Sequence, residues 1–229
     1  GVGVVKMIQK NAALLTQRAG REITISAVCA QSRGKDRGVD LSGYGWEDDP
    51  IVLAKRDDVD VFVELIGGST GPAKQATQAA IAAGKDVVTA NKAMLAEHGH
   101  SLALSAEAAG RVIRYEAAVA GGIPVVKALT EGLAGNEIQR VLGVMNGSCN
   151  YILTRMEDAG LTYEEVFAEA DGLGYLEADP NLDVGGIDAA HKLALLASIA
   201  FGTEVDFGSV VIEGIGAITI EDIHAAADM

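Results

Sequence analysis

The sequence predicts an α/β fold in which a doubly wound parallel sheet is followed by an α+β domain. Apolar, β-branched runs alternate with alanine-rich helical stretches through the first half of the chain. This alternation is typical of parallel strands joined by crossover helices, and runs that are apolar throughout indicate a sheet covered on both faces. The alternation ends near Gly121, so we expect one domain over residues 1–121 and a second over residues 122–229.

The first domain carries the signals of a Rossmann-like fold. Its predicted strands cover residues 23–30, 61–66, 86–90 and 112–118, and its main predicted helices cover residues 72–83 and 93–109. The chain opens on a helical stretch, whereas a Rossmann domain opens on a strand and a glycine-rich turn. We therefore expect that strand and most of that turn to lie upstream of Gly1, which would be the last glycine of the turn.

The second domain mixes helical and strand-like segments without a regular alternation. Strands are predicted over residues 138–145 and 210–218. Thr162 and Glu165 have the spacing of a capping box that starts a helix. Another helix is predicted over residues 187–201, where the sequence is apolar almost all round, and a helix of that kind is normally buried.

Bulk composition argues against several classes of function. The formal net charge of −14 at pH 7 repels a phosphate backbone, which argues against a nucleic-acid partner. No apolar run is long enough to cross a membrane and no signal peptide is visible, so we expect a cytoplasmic protein. The two cysteines, Cys29 and Cys149, lack the spacing of a metal site and are expected to be free thiols.

Charged residues inside the apolar helix point to chemistry. Asp188 and Lys192 are four residues apart and therefore share one face. On a solvated helix such a pair is an ordinary salt bridge, but in a buried helix it is costly unless it serves a ligand or a network. Upstream, the loop over residues 174–183 carries three carboxylates. It is a solvated loop, a pocket for an ammonium group beside Lys192, or a metal site, although no histidine stands at ligand spacing.

Two loops at predicted strand ends are candidate parts of a cofactor site. Residues 64–70 (ELIGGST) end one strand, and glycines there let a ligand approach the backbone closely. Residues 89–92 (TANK) lie between a strand and a helix, where α/β sheets place their ligands. Each loop also has an interpretation without a ligand. The glycine pair could form a simple turn, and Lys92 could be an ordinary surface side chain.

Six stretches of the chain resemble the homoserine dehydrogenase family in the same order, and the resemblance covers essentially the whole chain. The GYLEADP stretch, followed by D-x-x-x-x-D-x-x-x-K, is the most specific. The chain keeps only the last glycine of the family's glycine-rich fingerprint, and family members continue beyond Met229. The stretches are ELIGG (64–68), TANKA (89–93), YEAAVAGGIPV (115–125), NGSCNYIL (146–153), GYLEADP (174–180) and DVGGIDAAHKLALLASIAFG (183–202).

The resemblance implies an NAD(P)-dependent oxidoreductase that interconverts L-homoserine and L-aspartate 4-semialdehyde in threonine, methionine and isoleucine biosynthesis, and it implies a homodimer. Lys192 corresponds to the proton donor and acceptor at the substrate oxygen, and Lys92 to a second lysine near the nicotinamide. The other implied site residues are Glu177, Asp183 and Asp188 for the substrate, Gly1, Gly67, Gly68 and Gly174 for the cofactor, and Glu116, Val119, Gly121 and Ile123 for a monovalent cation such as sodium, held chiefly by backbone carbonyls.

The end of the strand over residues 23–30 bears on the choice between NADP and NAD. Folds that prefer NAD usually place an acidic residue at this strand end to bind the ribose hydroxyls, and none is present here. Arg33 and Lys35 follow instead and are suited to meet a 2′-phosphate. They favour NADP, although an ordinary basic loop would have the same composition.

Two other interpretations stay open. A different Rossmann oxidoreductase, such as an amino-acid or semialdehyde dehydrogenase, would need other site chemistry. In the semialdehyde case that chemistry is a reactive cysteine; Cys149 lies in the right half of the chain, but no histidine is placed to serve it. A non-catalytic binding fragment is the alternative from another class. Cys149 stands where the family commonly has threonine, and we interpret it as a packing change.

Overall fold

A computed structural model describes residues 1–176 and 179–227, and the chain divides into two units, Gly1–Gly122 and Ile123–Met229. The boundary expected from the sequence, between residues 121 and 122, lies next to this division. Each unit has an apolar cluster of its own.

The strands of the first unit are all parallel, and the predicted α/β architecture is confirmed. Strands β1 (Ala27–Cys29) and β2 (Gly45–Glu47) pair with each other, and β3 (Val61–Glu64), β4 (Asp86–Thr89) and β5 (Ile113–Arg114) form a second sheet in that order. Strand β2 was not predicted, because three residues between turns carry no periodic signal. The strand predicted over residues 112–118 is short, because the chain turns into a helix at Glu116.

Six helices of the first unit flank these strands. Asp49 caps α3 through its side chain, and Pro50 occupies the first turn, where its missing N–H costs nothing. Fully buried alanines of α4 join Phe62 of β3 and Val87 of β4 in the core of the unit. The helices are α1 (Val2–Lys10), α2 (Ala12–Ala19), α3 (Pro50–Lys55), α4 (Pro72–Ala82), α5 (Lys92–Ala108) and α6 (Glu116–Val119).

The second unit is built from helices. Ile152 and Met156 of α8 pack with Val166 and Ala170 of α9 in a core from which solvent is fully excluded. The predicted capping box of Thr162 and Glu165 starts α9. The elements are α7 (Val125–Lys127), a π-helical turn (Ala128–Gly132), α8 (Gly147–Ala159), α9 (Tyr163–Gly172), α10 (Pro180–Val184), α11 (Ile187–Phe201), a 3₁₀ turn (Phe207–Ser209) and α12 (Ile220–Ala227).

Two predicted segments of this unit differ in the structure. Residues 138–145 and 210–218 form no strand, because a strand needs a hydrogen-bonded neighbour and neither segment pairs within the described part of the chain. Several of their apolar side chains are exposed, as at Leu142, Val144 and Val211, whereas Ile215 packs against the core of the unit. No helix within the described ranges is both long and apolar enough to cross a membrane.

Candidate functional site

The charged pair of α11 is formed, and it is largely enclosed. The Lys192 ammonium Nζ donates to Asp188 Oδ2 at 2.6 Å and to the backbone carbonyl of Met145 at 2.8 Å. The side chain of Lys192 is 21% exposed and that of Asp188 is 5% exposed. This is therefore a shielded ion pair whose lysine still reaches solvent, and it differs from the solvated salt bridge that the sequence left open.

Asn146 joins the two aspartates of this group. Its amide nitrogen Nδ2 donates to Asp183 Oδ1 at 2.8 Å and to Asp188 Oδ2 at 3.1 Å. Its amide oxygen accepts a bond from the backbone N–H of Cys149 at 2.8 Å and so caps α8. The side chains of Asn146, Asp183 and Asp188 are all buried. Sequence reasoning gave Asn146 no role; its position before a helix, inside the NGSCNYIL stretch, was the available signal.

Glycines bring Asp183 and Asp188 together by letting α10 turn directly into α11. A side chain at Gly185 would place its Cβ 2.4 Å from the carbonyl oxygen of Asn181. Gly186 has a φ of +81°, and a Cβ there would lie 3.0 Å from the carbonyl oxygen of Glu213. Only glycine fits this backbone crossing.

The carboxylate-rich loop begins beside the same group. Gly174 follows α9 with a φ of +73°, and the Ser148 hydroxyl donates to the carbonyl oxygen of Tyr175 at 2.6 Å. The Tyr175 ring packs edge-on against Tyr151, with centroids 4.8 Å apart. Glu177, the remaining predicted substrate carboxylate, lies outside the described residues.

Cys149 has the environment of an unreactive thiol. Its Sγ donates to the carbonyl oxygen of Asp183 at 3.3 Å. Burial raises the pKa of this thiol, and the charges of Asp183 and Asp188 raise it further. Because the thiolate is the nucleophile, these surroundings oppose the semialdehyde-dehydrogenase interpretation. Within the described ranges there is also no group of three or more His, Cys, Asp or Glu side chains able to hold a metal ion.

In the first unit, a buried carboxylate organises the end of β3. Glu64 is fully buried, and its Oε1 accepts bonds from the backbone N–H groups of Ile66 at 2.7 Å and Gly67 at 3.0 Å. Its Oε2 accepts a bond from the hydroxyl of Thr89, at the end of β4. One carboxylate therefore shapes the glycine turn and ties it to the neighbouring strand.

Asn91 completes the connection between the two loops. Its amide nitrogen donates to the carbonyl oxygen of Gly68 at 2.8 Å, and its amide oxygen accepts a bond from the N–H of Met94 at 3.0 Å, which caps α5. Lys92 is the first residue of α5. The ELIGG and TANK stretches, noted separately in the sequence, thus form one structure at the carboxyl ends of adjacent parallel strands. The linking roles of Glu64, Thr89 and Asn91 were not predicted.

The loop after β1 brings two arginines, the predicted Arg33 and also Arg37, to one aromatic ring. The guanidinium groups of Arg33 and Arg37 lie 5.7 Å and 5.6 Å from the centroid of Trp46. Arg37 also donates to the carbonyl oxygens of Ser32 and Lys35, at 2.6 Å and 2.8 Å, and so shapes the loop. Arg33, Lys35 and Arg37 line an open cleft of about 380 Å³. Arg37 was not singled out from the sequence.

The remaining predicted residues lie at helix ends and turns. The carbonyl of Gly1 accepts a bond from Val5 at 3.2 Å and starts α1. Glu116 and Val119 are the first and last residues of α6, and the Glu116 carbonyl accepts a bond from Ala120 at 3.0 Å. Gly121 and Ile123 follow as exposed residues. Ile123 belongs to the second unit, so the predicted cation ligands span the division of the chain.

Comparisons with known proteins agree across both units. Residues 1–116 match the family model of the homoserine dehydrogenase NAD-binding domain, and residues 124–229 match that of homoserine dehydrogenase. A homoserine dehydrogenase from Neisseria gonorrhoeae is 45% identical over 229 residues, which cover 100% of this chain and 52% of that protein.

Solved structures give the same result. A homoserine dehydrogenase from Thiobacillus denitrificans has a TM-score of 0.94 at 42% identity, over 99% of this chain and 52% of that one. A hyperthermophilic archaeal homoserine dehydrogenase mutant in complex with NADPH has a TM-score of 0.69 at 30% identity, over 82% of this chain and 57% of that one. The chain spans about half the length of these relatives. Because both family models match, and because relatives at 42% to 45% identity align with 99% to 100% of its residues, the chain belongs to the homoserine dehydrogenase family.

Proposed function

We propose that the whole protein interconverts L-homoserine and L-aspartate 4-semialdehyde with a nicotinamide cofactor. The observation that carries the proposal is the enclosed group of Lys192, Asp188, Asp183 and Asn146, in a chain of this family. A lysine held by a carboxylate and a carbonyl, yet still reaching solvent, is suited to exchange a proton with a bound substrate.

Lys192 acts on the substrate oxygen. In the oxidative direction its neutral amine takes the proton of the homoserine hydroxyl as the carbon loses hydride and the aldehyde forms. In the reductive direction its ammonium returns that proton to the aldehyde oxygen as hydride arrives. A nicotinamide cofactor supplies the hydride chemistry when bound. Asp188 and the Met145 carbonyl hold Nζ in place between turnovers.

The aspartates recognise the amino-acid part of the substrate. Carboxylates form strong, charge-assisted hydrogen bonds with an ammonium group. The carboxylates of Asp183 and Asp188 lie close together, because both accept a hydrogen bond from the same amide nitrogen of Asn146. We assign the substrate ammonium to this carboxylate group, together with Glu177. Lys92, at the first turn of α5, is assigned to the nicotinamide end of the reaction.

The cofactor belongs at the strand ends of the first unit. The turn of Gly67 and Gly68, both with positive φ, offers backbone without side chains, as close approach by a dinucleotide requires. Gly1 at the start of α1 and Gly174 complete the assigned contacts. Arg33 and Lys35 are assigned to a 2′-phosphate, and the NADPH complex of the archaeal relative supports the choice of NADP for this chain.

The first test is homoserine-dependent reduction of NADP by the whole protein. Changing Lys192→Ala is expected to lower kcat by about 10²–10⁴-fold, the range of general acid–base catalysis. Lys127→Ala, a change of the same kind at an exposed lysine of the same unit, should leave kcat unchanged. Absence of homoserine turnover by the unmodified protein would refute the assignment, and full activity in Lys192→Ala would remove that residue from its role.

The cofactor preference has its own test. Arg33→Ala is expected to raise KM for NADP about tenfold or more, since it removes a charged hydrogen bond to the 2′-phosphate, and to leave KM for NAD unchanged. Arg18→Ala, at an exposed site of α2, controls for the change in net charge. Equal shifts for both cofactors would contradict the assignment.

The family resemblance supports further parts of the proposal. We expect a cytoplasmic homodimer acting in threonine, methionine and isoleucine biosynthesis. We also expect a monovalent cation such as sodium near Glu116, Val119, Gly121 and Ile123. Sedimentation equilibrium tests the dimer, and activity in sodium against tetramethylammonium salts tests the cation.

A further inference from the structure

We infer that Asn146 is a positioning residue of the proposed reaction, whose amide holds the carboxylates of Asp183 and Asp188 and through them orients Lys192. The inference rests on the proposed function. It adds a residue that does not belong to the acid–base or substrate-binding set described above.

The contacts connect the amide to the lysine through a single atom. Asp188 Oδ2 accepts from Lys192 Nζ at 2.6 Å and from Asn146 Nδ2 at 3.1 Å. Any rotation of this carboxylate therefore moves the ammonium group that it binds. Met145, the residue before Asn146, gives Nζ its second acceptor. Two consecutive residues thus constrain the lysine from two directions.

The direction in which the amide points is fixed by its own partners. Its oxygen must be the atom that faces the Cys149 N–H, because only an acceptor can cap the helix. Its two N–H bonds are then left for the two carboxylates. A neutral amide that donates two hydrogen bonds suits this position. It links the two carboxylates, whereas a cation here would compete with Lys192 for the Asp188 carboxylate.

Two substitutions separate positioning from helix capping. Asn146→Ser and Asn146→Asp both keep an oxygen able to cap α8, and both remove the amide donor. Thr162→Ala removes the cap of α9 in the same unit and controls for lost capping, because the Thr162 side chain bonds to Glu165 and not to the charged group. All four forms of the whole protein would be compared by thermal unfolding and by homoserine-dependent reduction of NADP.

If Asn146 positions Lys192, its substitution lowers kcat by more than the loss of a helix cap can explain. Asn146→Ser is expected to lower kcat about tenfold to a hundredfold, the effect of losing hydrogen bonds to charged groups, with no greater drop in Tm than Thr162→Ala. Thr162→Ala should keep its kcat. If Asn146→Ser and Asn146→Asp keep kcat while the unmodified protein turns over homoserine, the inference fails and the proposed function stands. If the unmodified protein is inactive, the proposed function itself fails.

The pH dependence of kcat in Asn146→Asp distinguishes positioning of Lys192 from a purely structural role, which would leave this dependence unchanged. The introduced carboxyl faces the carboxylates of Asp183 and Asp188, which raise its pKa, and the ammonium group of Lys192 opposes these two negative charges with a single positive one. Once protonated, the introduced carboxyl can again donate a hydrogen bond. The ratio of its kcat to that of the unmodified protein should therefore rise as the pH falls from 9 to about 6. A ratio that stays flat over this range would overturn the inference.

Discussion

Glu64 shows how one buried residue can shape a turn at the end of a strand without itself reaching the surface. A buried carboxylate is costly unless hydrogen bonds satisfy it, and Glu64 receives three from the glycine turn and from Thr89. Those bonds fix the backbone of the turn while the carboxylate stays out of contact with solvent. Sequence reasoning treated this residue only as the start of a motif.

Removing this carboxylate should destabilise the fold. Glu64→Ala leaves buried donors without an acceptor and is expected to lower the free energy of unfolding by about 2–4 kcal/mol. Glu64→Gln keeps one oxygen acceptor and should cost about 1–2 kcal/mol. Glu107→Gln, at an exposed position of α5, should stay within about 0.5 kcal/mol of the unmodified protein. Urea denaturation measures all three, and an unchanged midpoint for Glu64→Ala would contradict this account.

Substitution of Cys149 distinguishes the proposed acid–base chemistry from a mechanism in which this thiol is the nucleophile. Because its pKa is raised, less thiolate is present at each pH than for a free cysteine, and alkylation at pH 8 should be slow in the folded protein. Cys149→Ser keeps a donor to the Asp183 carbonyl, so kcat is expected to stay within about threefold of the unmodified value. A loss of more than a hundredfold would restore the semialdehyde-dehydrogenase interpretation.

At the scale of elements, the turn between α10 and α11 determines whether the two aspartates meet. Gly185→Ala would force a Cβ to within 2.4 Å of backbone, and relieving that overlap should cost about 1–3 kcal/mol. Gly172→Ala is the matched comparison, since a Cβ at this α9 position meets nothing within 4 Å, and it should stabilise by about 0.5–1 kcal/mol. Urea denaturation measures the stability of both variants. Equal midpoints would show that the backbone around Gly185 is not tightly packed.

The elements also show what the sequence can and cannot predict. The long apolar helix α11 was predicted with its observed bounds, because its hydrophobic run and flanking glycines are local signals. The segment over residues 138–145 has the composition of a strand but no described partner, since pairing depends on residues far away in sequence. The same limit applies to Asn146, which acts through Asp183 and Asp188, 37 and 42 residues further along the chain.

For the whole molecule, the division into two units separates most of the proposed cofactor contacts from the proposed acid–base and carboxylate residues. The cofactor contacts proposed for the glycine turn, the TANK stretch and the basic loop all lie in the first unit. The proposed acid–base lysine, the proposed substrate carboxylates and one proposed cofactor contact, Gly174, lie in the second. Each unit has its own core, so each can hold its own candidate residues in shape from within.

Hydrogen exchange can test this division of roles in the whole protein. NADP alone is expected to slow exchange at the backbone amides of residues 66–68 and 91–94, where the turn of Gly67 and Gly68 meets Asn91. Homoserine alone should slow it at residues 145–149 and 183–192, which contain the Asn146 group. The protein with Lys192→Ala serves as the control, because it should keep the NADP response of the first unit. A protection pattern in which NADP affects only the second unit would contradict the placement of the cofactor at the strand ends.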